Sequence, residues 1–208
     1  GARYILDSSH FLERPLLRRA LWHGGIRGRG DVQGIILTHR HSDHAGNAAW
    51  LRRLLDAPVF CHKEDAPFLT GAAVPPRLAP RGTWPHERLL GRVEDVLPAR
   101  TPVDEVFEEG TWRHGFRAIH VPGHTEGSAM LHHEPSATLF SGDAILAGPA
   151  PQRLWERLRL AMPGFSLDVE RCHRETRRFL RDLPRTETLC PGHGPPVRQD
   201  VERKLRML

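Results

Sequence analysis

The chain has 208 residues, 39% of them hydrophobic, and a formal net charge of +5. This length suffices for one well-buried domain, and the sequence has no run of about 18 apolar residues that could span a membrane. The basic residues are nearly all arginines scattered among acids, which is typical of solvated faces, so a nucleic-acid partner is not expected. The first residues show no basic segment followed by an apolar stretch and a cleavage site, which predicts a cytoplasmic protein.

The first half of the chain alternates short apolar runs with helical patterns. The predicted elements are a strand at Arg3–Ser9, a helix at about Pro15–Trp22, a strand at Gly34–His39, a helix between Asp43 and Pro58, and a strand in "PVFCH". This alternation of strand and helix indicates a layered α/β domain.

The segment from Ala66 to Pro102 is rich in proline, glycine and arginine and is only weakly periodic. A stretch of this length in a compact domain is usually a lid, a binding loop or disordered. We predict a partly helical lid at residues 66–102, with a tolerated surface insertion as the alternative.

Three closely spaced strands and an amphipathic helix are predicted in the second half. The strands lie in "FRAIHVPGH", "SAMLHH" and "ATLFSGDAIL", which indicates an antiparallel meander, and a further strand lies in "TETLCPGH". The helix runs from Ser166 to about Leu183, and one stripe of it should pack on the sheet: Val169, Cys172, Thr176, Phe179, Leu180 and Leu183. No repeat or linker separates the halves, so residues 1–208 are predicted to form a single domain.

The stretch "THRHSDHAGN" places three histidines and an aspartate within six positions. His39 and His41 can point the same way if the preceding strand stays extended, and the turn into the helix then directs Asp43 and His44 towards a neighbouring point. Two pairs of ligands aimed at two nearby points suit a dinuclear metal centre. Imidazole and carboxylate ligands are appropriate for zinc.

Three further residues could complete this site, each at the end of a predicted strand. His124 in "VPGHTEGS" and His193 in "LCPGHGPP" follow strands in proline-glycine turns. Asp143 in "LFSGDAIL" ends an apolar strand, where a charge is costly unless it is paired or bound to a metal.

The motifs "HRHSDH", "PGHTEGS", "SGD" and "PGHG", in this order, closely resemble those of the metallo-β-lactamase-fold hydrolases. The resemblance extends from "YILDSS" to "PGHGPP" and implies the α/β fold of that family, an αββα sandwich of two sheets with helices outside. It also implies a ligand set. The first metal would be bound by His39, His41 and His124, the second by Asp43, His44 and His193, and Asp143 would bridge both.

The reaction implied by the resemblance is hydrolysis of an activated carbonyl substrate by a hydroxide that bridges two zinc ions. The substrate would be a small molecule, namely a thioester, ester, lactone or β-lactam. Asp43 would orient the hydroxide and carry a proton to the leaving group. The same ligands would accept iron or manganese in place of zinc.

Differences from the motifs of known subfamilies disfavour some of these substrate classes. Asp143 stands where two β-lactamase subclasses place a cysteine ligand, which disfavours a dedicated β-lactamase. The glyoxalase II group shares the "DHAGN"-like ending and the bridging aspartate, but its glutathione-binding helical extension would lie beyond His193. The lactonases use a tyrosine close to the metals, whereas Tyr4 is the only tyrosine of this chain.

Two other reaction classes remain as alternatives. One is a metal-dependent nuclease or phosphodiesterase, although no β-CASP domain lies between Asp143 and His193. The other is a mononuclear iron persulfide dioxygenase using His39, His124 and Asp143. Those dioxygenases carry a Gly-Arg-Thr-Asp-like segment where this chain has "GDAILAGPAP".

Two expectations concern the surface. Members of the family carry a strand or two before "YILDSS", so the first sheet is expected to lack N-terminal edge strands, with its edge covered by the lid or by a partner chain, as in a homo-oligomer. Candidates for substrate contacts are Trp84, Trp155, Leu158 and Phe165 as pocket walls and Arg81 or Arg153 as carboxylate ligands.

Overall fold

A computed structural model of the chain describes residues 2–78, 85–147 and 158–208. Two β-sheets lie face to face in it, and helices cover their outer faces. The αββα sandwich predicted from the sequence is therefore confirmed.

The first sheet is parallel, and its described strands follow chain order. They are β1 (Tyr4–Leu6), β2 (Gly34–Ile36), β3 (Val59–His62) and β4 (Glu105–Phe107). The intervening helices are α1 (Arg14–His23), α2 (Ser42–Ala45), α3 (Ala48–Leu55), α4 (Ala66–Thr70) and α5 (Pro85–Val96). Leu21 of α1 and Leu51 of α3 pack with Ile35 and Val59 of the sheet, so these two helices cover its outer face.

The second sheet is built around the predicted meander. Its strands are β5 (Gly110–Thr111), β6 (Phe116–His120), β7 (Ala129–His133), β8 (Thr138–Gly142) and β11 (Thr188–Pro191), in the order β11-β8-β7-β6-β5. Only the β11–β8 pair is parallel among these described strands. A separate antiparallel pair joins β9 (Ile145–Ala147) to β10 (Leu158–Leu160).

Two C-terminal helices cover the outer face of the second sheet. They are α6 (Val169–Arg181) and α7 (Val201–Leu205). Cys172 and Leu180 of α6 and Leu205 of α7 pack with Met130 and Leu139 of the sheet. The stripe predicted for α6 is the face that packs on the sheet.

Aromatic and aliphatic side chains fill the space between the sheets. Ile36 and Phe60 of the first sheet meet Phe116, Ala118 and Leu131 of the second. Truncating a fully buried phenylalanine such as Phe60 would cost about 3–5 kcal/mol. This core holds the strand ends of both sheets in a fixed relation, which positions the loops that follow them.

The helix predicted after Asp43 is interrupted at Gly46 and Asn47, between α2 and α3. The Asn47 side-chain amide donates to the backbone carbonyls of Ser8, Ser9 and His10, which anchors the break to the loop after β1. The sequence pattern could not show this contact because its partners lie about 38 positions away.

The helix predicted from Ser166 begins later, at Val169. The Asp168 side chain accepts a hydrogen bond from the backbone N–H of Arg171 and so fixes the start of the helix. Residues Pro163–Phe165 form a separate 3-10 turn.

The predicted lid contains α4 and α5, and α5 packs against the turn Pro163–Phe165. Residues 79–84 lie outside the described part of the chain. A lid function for residues 66–102 and a single domain for residues 1–208 stay predictions.

β1 lies at one edge of the first sheet, and no strand among the described residues pairs with its outer side. Cover of this edge by a partner chain stays a prediction. None of the described helices has the length and apolar character needed to cross a lipid bilayer.

Candidate metal centre

The seven predicted ligands come from four segments, each of which follows a strand. His39, His41, Asp43 and His44 follow β2, His124 follows β6, Asp143 follows β8 and His193 follows β11. The structure brings these segments together. Their donor atoms form three overlapping groups with all distances within 4.8 Å: His39, His41 and His124; His39, His44 and Asp143; and Asp43, His44 and His193.

The first group is a buried cluster of three imidazoles. His41 Nδ1 lies 3.0 Å from His124 Nε2, and the ring centroids of His39 and His124 are 4.7 Å apart. All three side chains are buried. These rings belong to loops 83 residues apart in sequence, so packing of the two sheets creates the cluster.

The group of Asp43, His44 and His193, called the second group below, faces solvent on one side. His193 Nε2 lies 3.1 Å from Asp43 Oδ2, while the distance from His44 Nε2 to Asp43 Oδ2 is 3.9 Å. His44 is buried, but the side chains of Asp43 and His193 are 43% and 52% exposed. A substrate would therefore reach the centre from the side of Asp43 and His193.

Asp143 lies between the two groups. Its Oδ1 is 3.1 Å from His44 Nε2, and its Oδ2 is 3.4 Å from His193 Nε2 and 3.6 Å from His124 Nε2. One carboxylate thus faces imidazoles of both groups, which is the arrangement expected of a bridging ligand.

Asp7 orients two of the candidate metal ligands, a role that the sequence analysis did not predict. Its Oδ2 accepts hydrogen bonds from Nδ1 of His44 and from the hydroxyl of Thr38, both at 2.8 Å. The Thr38 oxygen in turn lies 3.1 Å from Nδ1 of His39. Because Nδ1 of both histidines is engaged in this way, Nε2 of each is directed into the centre.

Ser166 holds His124 in the same manner. The Ser166 hydroxyl donates to the carbonyl of Met162 at 2.7 Å, so its oxygen accepts from Nδ1 of His124 at 3.1 Å. Nε2 of His124 is then free of a proton and faces His41. The sequence signal for Asp7 was available, since a carboxylate that ends an apolar strand is costly without a partner. No such signal marks Ser166.

Burial and carboxylates shift the histidine pKa values in opposite directions. Burial lowers the pKa of His124 to about 4 and also holds the pKa values of His39 and His41 well below their usual range. Hydrogen bonds to Asp143 and Asp43 raise the pKa of His193 to about 10. Burial alone would lower the pKa of His44, but the carboxylates of Asp143 and Asp7 raise it well above its usual range.

The two aspartates of the centre stay ionised. Burial opposes this in Asp143, but the imidazoles of His44 and His193 hold its pKa well below the usual range. In Asp43, the hydrogen bond with His193 similarly outweighs burial and lowers the pKa. The centre therefore combines neutral imidazoles on one side with carboxylates that attract positive charge on the other.

These residues fit divalent metal ions. Nε2 of His39 and Nε2 of His41 are buried, and neither makes a hydrogen bond within the described residues. Buried nitrogen and oxygen atoms left without hydrogen bonds are costly unless a ligand completes them. Neutral imidazoles and carboxylates are the donors that zinc, iron and manganese accept. Metal binding by each of the seven residues stays a prediction.

Asp65, a third residue that the sequence analysis did not identify, connects two of the ligand-bearing segments. Its buried carboxylate accepts hydrogen bonds from the backbone N–H of Arg40, the hydroxyl of Thr125 and the backbone N–H of Gly127, at 2.8 to 2.9 Å. Arg40 lies between His39 and His41, and Thr125 follows His124. Asp65 therefore fixes the loop after β2 to the loop after β6.

Two cavities meet at Asp43 and His193. The first, of about 820 Å³, runs past Asp7 and Cys190 along the edge of the sandwich. The second, of about 390 Å³, lies under α5, and its walls are apolar: Leu78, Leu90, Val93, Leu146, Met162 and Phe165. Phe165 lines this cavity as predicted, whereas Leu158 is not among its lining residues. The other four candidates, Trp84, Trp155, Arg81 and Arg153, lie outside the described residues.

A family profile described as the metallo-beta-lactamase superfamily matches residues 4–198. An uncharacterized protein of Aquifex aeolicus is 30% identical over 165 residues, which covers 78% of this chain and 68% of the relative. The probable metallo-hydrolase YybB of Bacillus subtilis is 26% identical over 175 residues, or 83% and 69% of the two chains. A hydroxyacylglutathione hydrolase of Cereibacter sphaeroides is 29% identical over 166 residues, which covers 76% of this chain and 47% of that enzyme.

One solved structure is similar to this chain over most of its length. The crystal structure of TTHA1623 in a di-iron-bound form is 28% identical, with a TM-score of 0.64, and the match covers 96% of this chain and 86% of that one. The chain thus spans most of that structure, about two thirds of the first two relatives and less than half of the third.

Proposed function

The chain belongs to the metallo-β-lactamase superfamily and is a metallo-hydrolase, and on this premise we propose that it is a dinuclear zinc hydrolase of activated carbonyl substrates. The substrate class comprises thioesters, esters, lactones and lactams. The position of Asp143, with one carboxylate facing His124 of the first group and His44 and His193 of the second, carries this proposal.

The two groups of side chains would bind different metal ions. His39, His41 and His124 would hold one ion, Asp43, His44 and His193 the other, and Asp143 would serve both. When bound here, two divalent ions would lower the pKa of a water molecule and polarise the carbonyl under attack.

Asp43 is placed to act on the reacting groups as well as on the metal. Its carboxylate is partly exposed at the mouth shared by both cavities and stays ionised because His193 lowers its pKa. It can accept a hydrogen bond from the attacking water and so orient it towards the carbonyl. A metal ion bound by Asp43, His44 and His193 would take the place of the proton that His193 carries in the metal-free protein.

The cavity under α5 would receive the acyl part of the substrate. Its walls are apolar, and its floor includes His41, His124 and Asp143. An apolar group bound there would exclude water from the metal centre. Electrostatic interactions between the centre and the substrate would then be stronger.

The relatives support the thioester as the first substrate to test, because several of them are named hydroxyacylglutathione hydrolases. The di-iron form of the similar structure supports two metal ions at one site and makes iron the principal alternative to zinc. No contact within the described residues favours a phosphodiester or a persulfide over a carbonyl substrate.

The test is turnover of the zinc-loaded protein, with and without a chelator, on S-lactoylglutathione, a homoserine lactone, a chromogenic cephalosporin and a phosphodiester. Metal analysis of the same sample should give two ions per chain. The variant His41→Ala should lose both metal and turnover, whereas His23→Ala, on the exposed end of α1, should retain both. Cleavage of the phosphodiester alone, or one iron per chain without hydrolysis, would refute the proposal.

A further inference from the structure

Glu94 of α5 reaches from the predicted lid into the cavity beside the metal centre. Its Oε2 accepts a hydrogen bond from the backbone N–H of Ser42 at 3.0 Å. Ser42 lies between His41 and Asp43, so this contact docks α5 directly on the loop that carries the ligands. One oxygen of the Glu94 carboxylate is thereby used.

The other oxygen, Oε1, is buried and makes no hydrogen bond with any described residue. Glu94 also forms no ion pair in the described part of the chain, although Arg159 lines the same cavity. Burial raises the pKa of Glu94, although hydrogen bonding to Ser42 opposes the rise. A buried acceptor left in this state is unfavourable, and a hydrogen-bond donor from a bound molecule would remove that cost.

The cavity that Glu94 lines is mostly apolar. Leu90 and Val93, on the same helix as Glu94, line the cavity, and their side chains are partly exposed towards it. Met162 and Phe165 form the opposite wall. The cavity thus presents the unpaired Oε1 of Glu94 within a mostly apolar surface, next to the residues that would bind the metal ions.

We propose that this cavity selects acyl substrates in which an N–H donor accompanies an apolar side chain, and that Glu94 Oε1 accepts a hydrogen bond from that donor. Amino-acid-like acyl groups, with an ammonium or amide nitrogen next to the reacting carbonyl, have this chemistry. The inference rests on the proposed function, since it names the acyl group that the hydrolase would prefer. Glu94 is then a specificity-determining residue.

Binding of two alcohols, measured by isothermal titration calorimetry, tests the inference without turnover. L-leucinol and 4-methylpentan-1-ol share the apolar chain and differ in the amino group. The metal-loaded protein should bind L-leucinol at least about tenfold more tightly, because a hydrogen bond to a charged group adds about 1.5–3 kcal/mol. The variant Glu94→Gln can still accept from Ser42 but has one acceptor oxygen, so the preference should fall to about twofold or less.

Glu170→Gln, the same change at an exposed position of α6, should retain the full preference. Metal content and thermal unfolding of Glu94→Gln should match those of the unmodified protein, which separates lost recognition from a damaged site. Equal affinity of the unmodified protein for both alcohols, or a preference that survives in Glu94→Gln, would overturn the inference.

Turnover of matched esters separates the two proposals. The p-nitrophenyl esters of leucine, N-acetylleucine and 4-methylpentanoate should be cleaved with kcat/KM values that favour the two nitrogen-bearing esters, and the preference should fall in Glu94→Gln. Preferential binding of L-leucinol without cleavage of any ester would uphold the inference on Glu94 and count against the proposed hydrolase. Cleavage of all three esters at equal rates would do the reverse.

Discussion

Oδ2 of Asp7 lies 2.8 Å from Nδ1 of His44, and the same oxygen accepts a hydrogen bond from the hydroxyl of Thr38. Asp7 follows β1, whereas His44 lies in α2, 37 residues later. Through these two contacts one carboxylate orients His44 directly and His39 through Thr38. The centre therefore depends on a residue that does not line the cavity under α5.

Replacing Asp7 with Asn should weaken metal binding about 10- to 100-fold, the range found when a hydrogen-bond partner of a metal-binding histidine is changed. The amide can donate to Nδ1 of His44, which would place the proton on Nε2 and block that donor. Competition with a chromogenic chelator measures the effect. Asp31→Asn, on the loop before β2, is the matched control and should bind metal normally. Unchanged affinity in Asp7→Asn would show that His44 needs no such orientation.

Asp143→Ala should lose at least about 100-fold in turnover and retain less than two metal ions per chain. The reason is that Asp143 alone among the described acids faces His44, His124 and His193 together. Metal analysis and initial rates check both effects. Asp182→Ala, at the exposed end of α6, controls for loss of a carboxylate. Full activity of Asp143→Ala would contradict the bridging role.

Metal affinity should rise with pH between about 6.5 and 10, because the ion must displace the proton of His193, whose pKa is raised to about 10. The stability of the metal-free protein should change with pH in the opposite direction. The raised pKa adds stability that is complete below about pH 6.5 and is lost as the pH passes 10. Chelator competition and urea unfolding at pH 7 and 9 test both slopes. In His193→Asn both dependences should become shallower, and a pH-independent affinity in the unmodified protein would refute the assignment.

Asp65→Ala should lower the free energy of unfolding by about 3–5 kcal/mol, because it leaves Arg40 and the donors of Thr125 and Gly127 buried without their acceptor. Urea unfolding of the metal-free protein measures the loss. The comparison is Glu105→Ala, which removes an exposed ion pair with Arg113 and should cost less than about 1 kcal/mol. Similar losses in both variants would mean that Asp65 does not hold the two loops together.

Gly192→Ala should lower turnover by about 100-fold through displacement of the centre. A Cβ at Gly192 would clash with Oδ1 of Asp143 and would lie only 2.7 Å from Cε1 of His44. Initial rates and metal content report the effect. A Cβ at Gly28 would meet nothing within 4 Å, so Gly28→Ala is the control. Normal rates in Gly192→Ala would indicate that the loop after β11 can move away at little cost.

Local pattern predicted much of the fold because the longer helices of the sandwich bury one periodic face, whereas β2 and β3 are short runs that are buried at every position. The α6 stripe is an example, since Cys172, Thr176 and Leu180 are all buried as their spacing predicts. Element ends were less predictable. The break at Asn47 depends on carbonyls of the loop after β1, and the start of α6 depends on the capping side chain of Asp168.

The sequence by itself determined which residue types would gather at the strand ends, since "THRHSDHAGN" and the three later motifs specify imidazoles and carboxylates in a recognisable order. Only the tertiary structure decided how they are held. Asp65 lies 60 residues from Thr125, and Glu94 lies 52 residues from Ser42. Contacts of this range depend on how the two sheets and α5 pack, and the periodicity of a chain reports only which face of each element is buried.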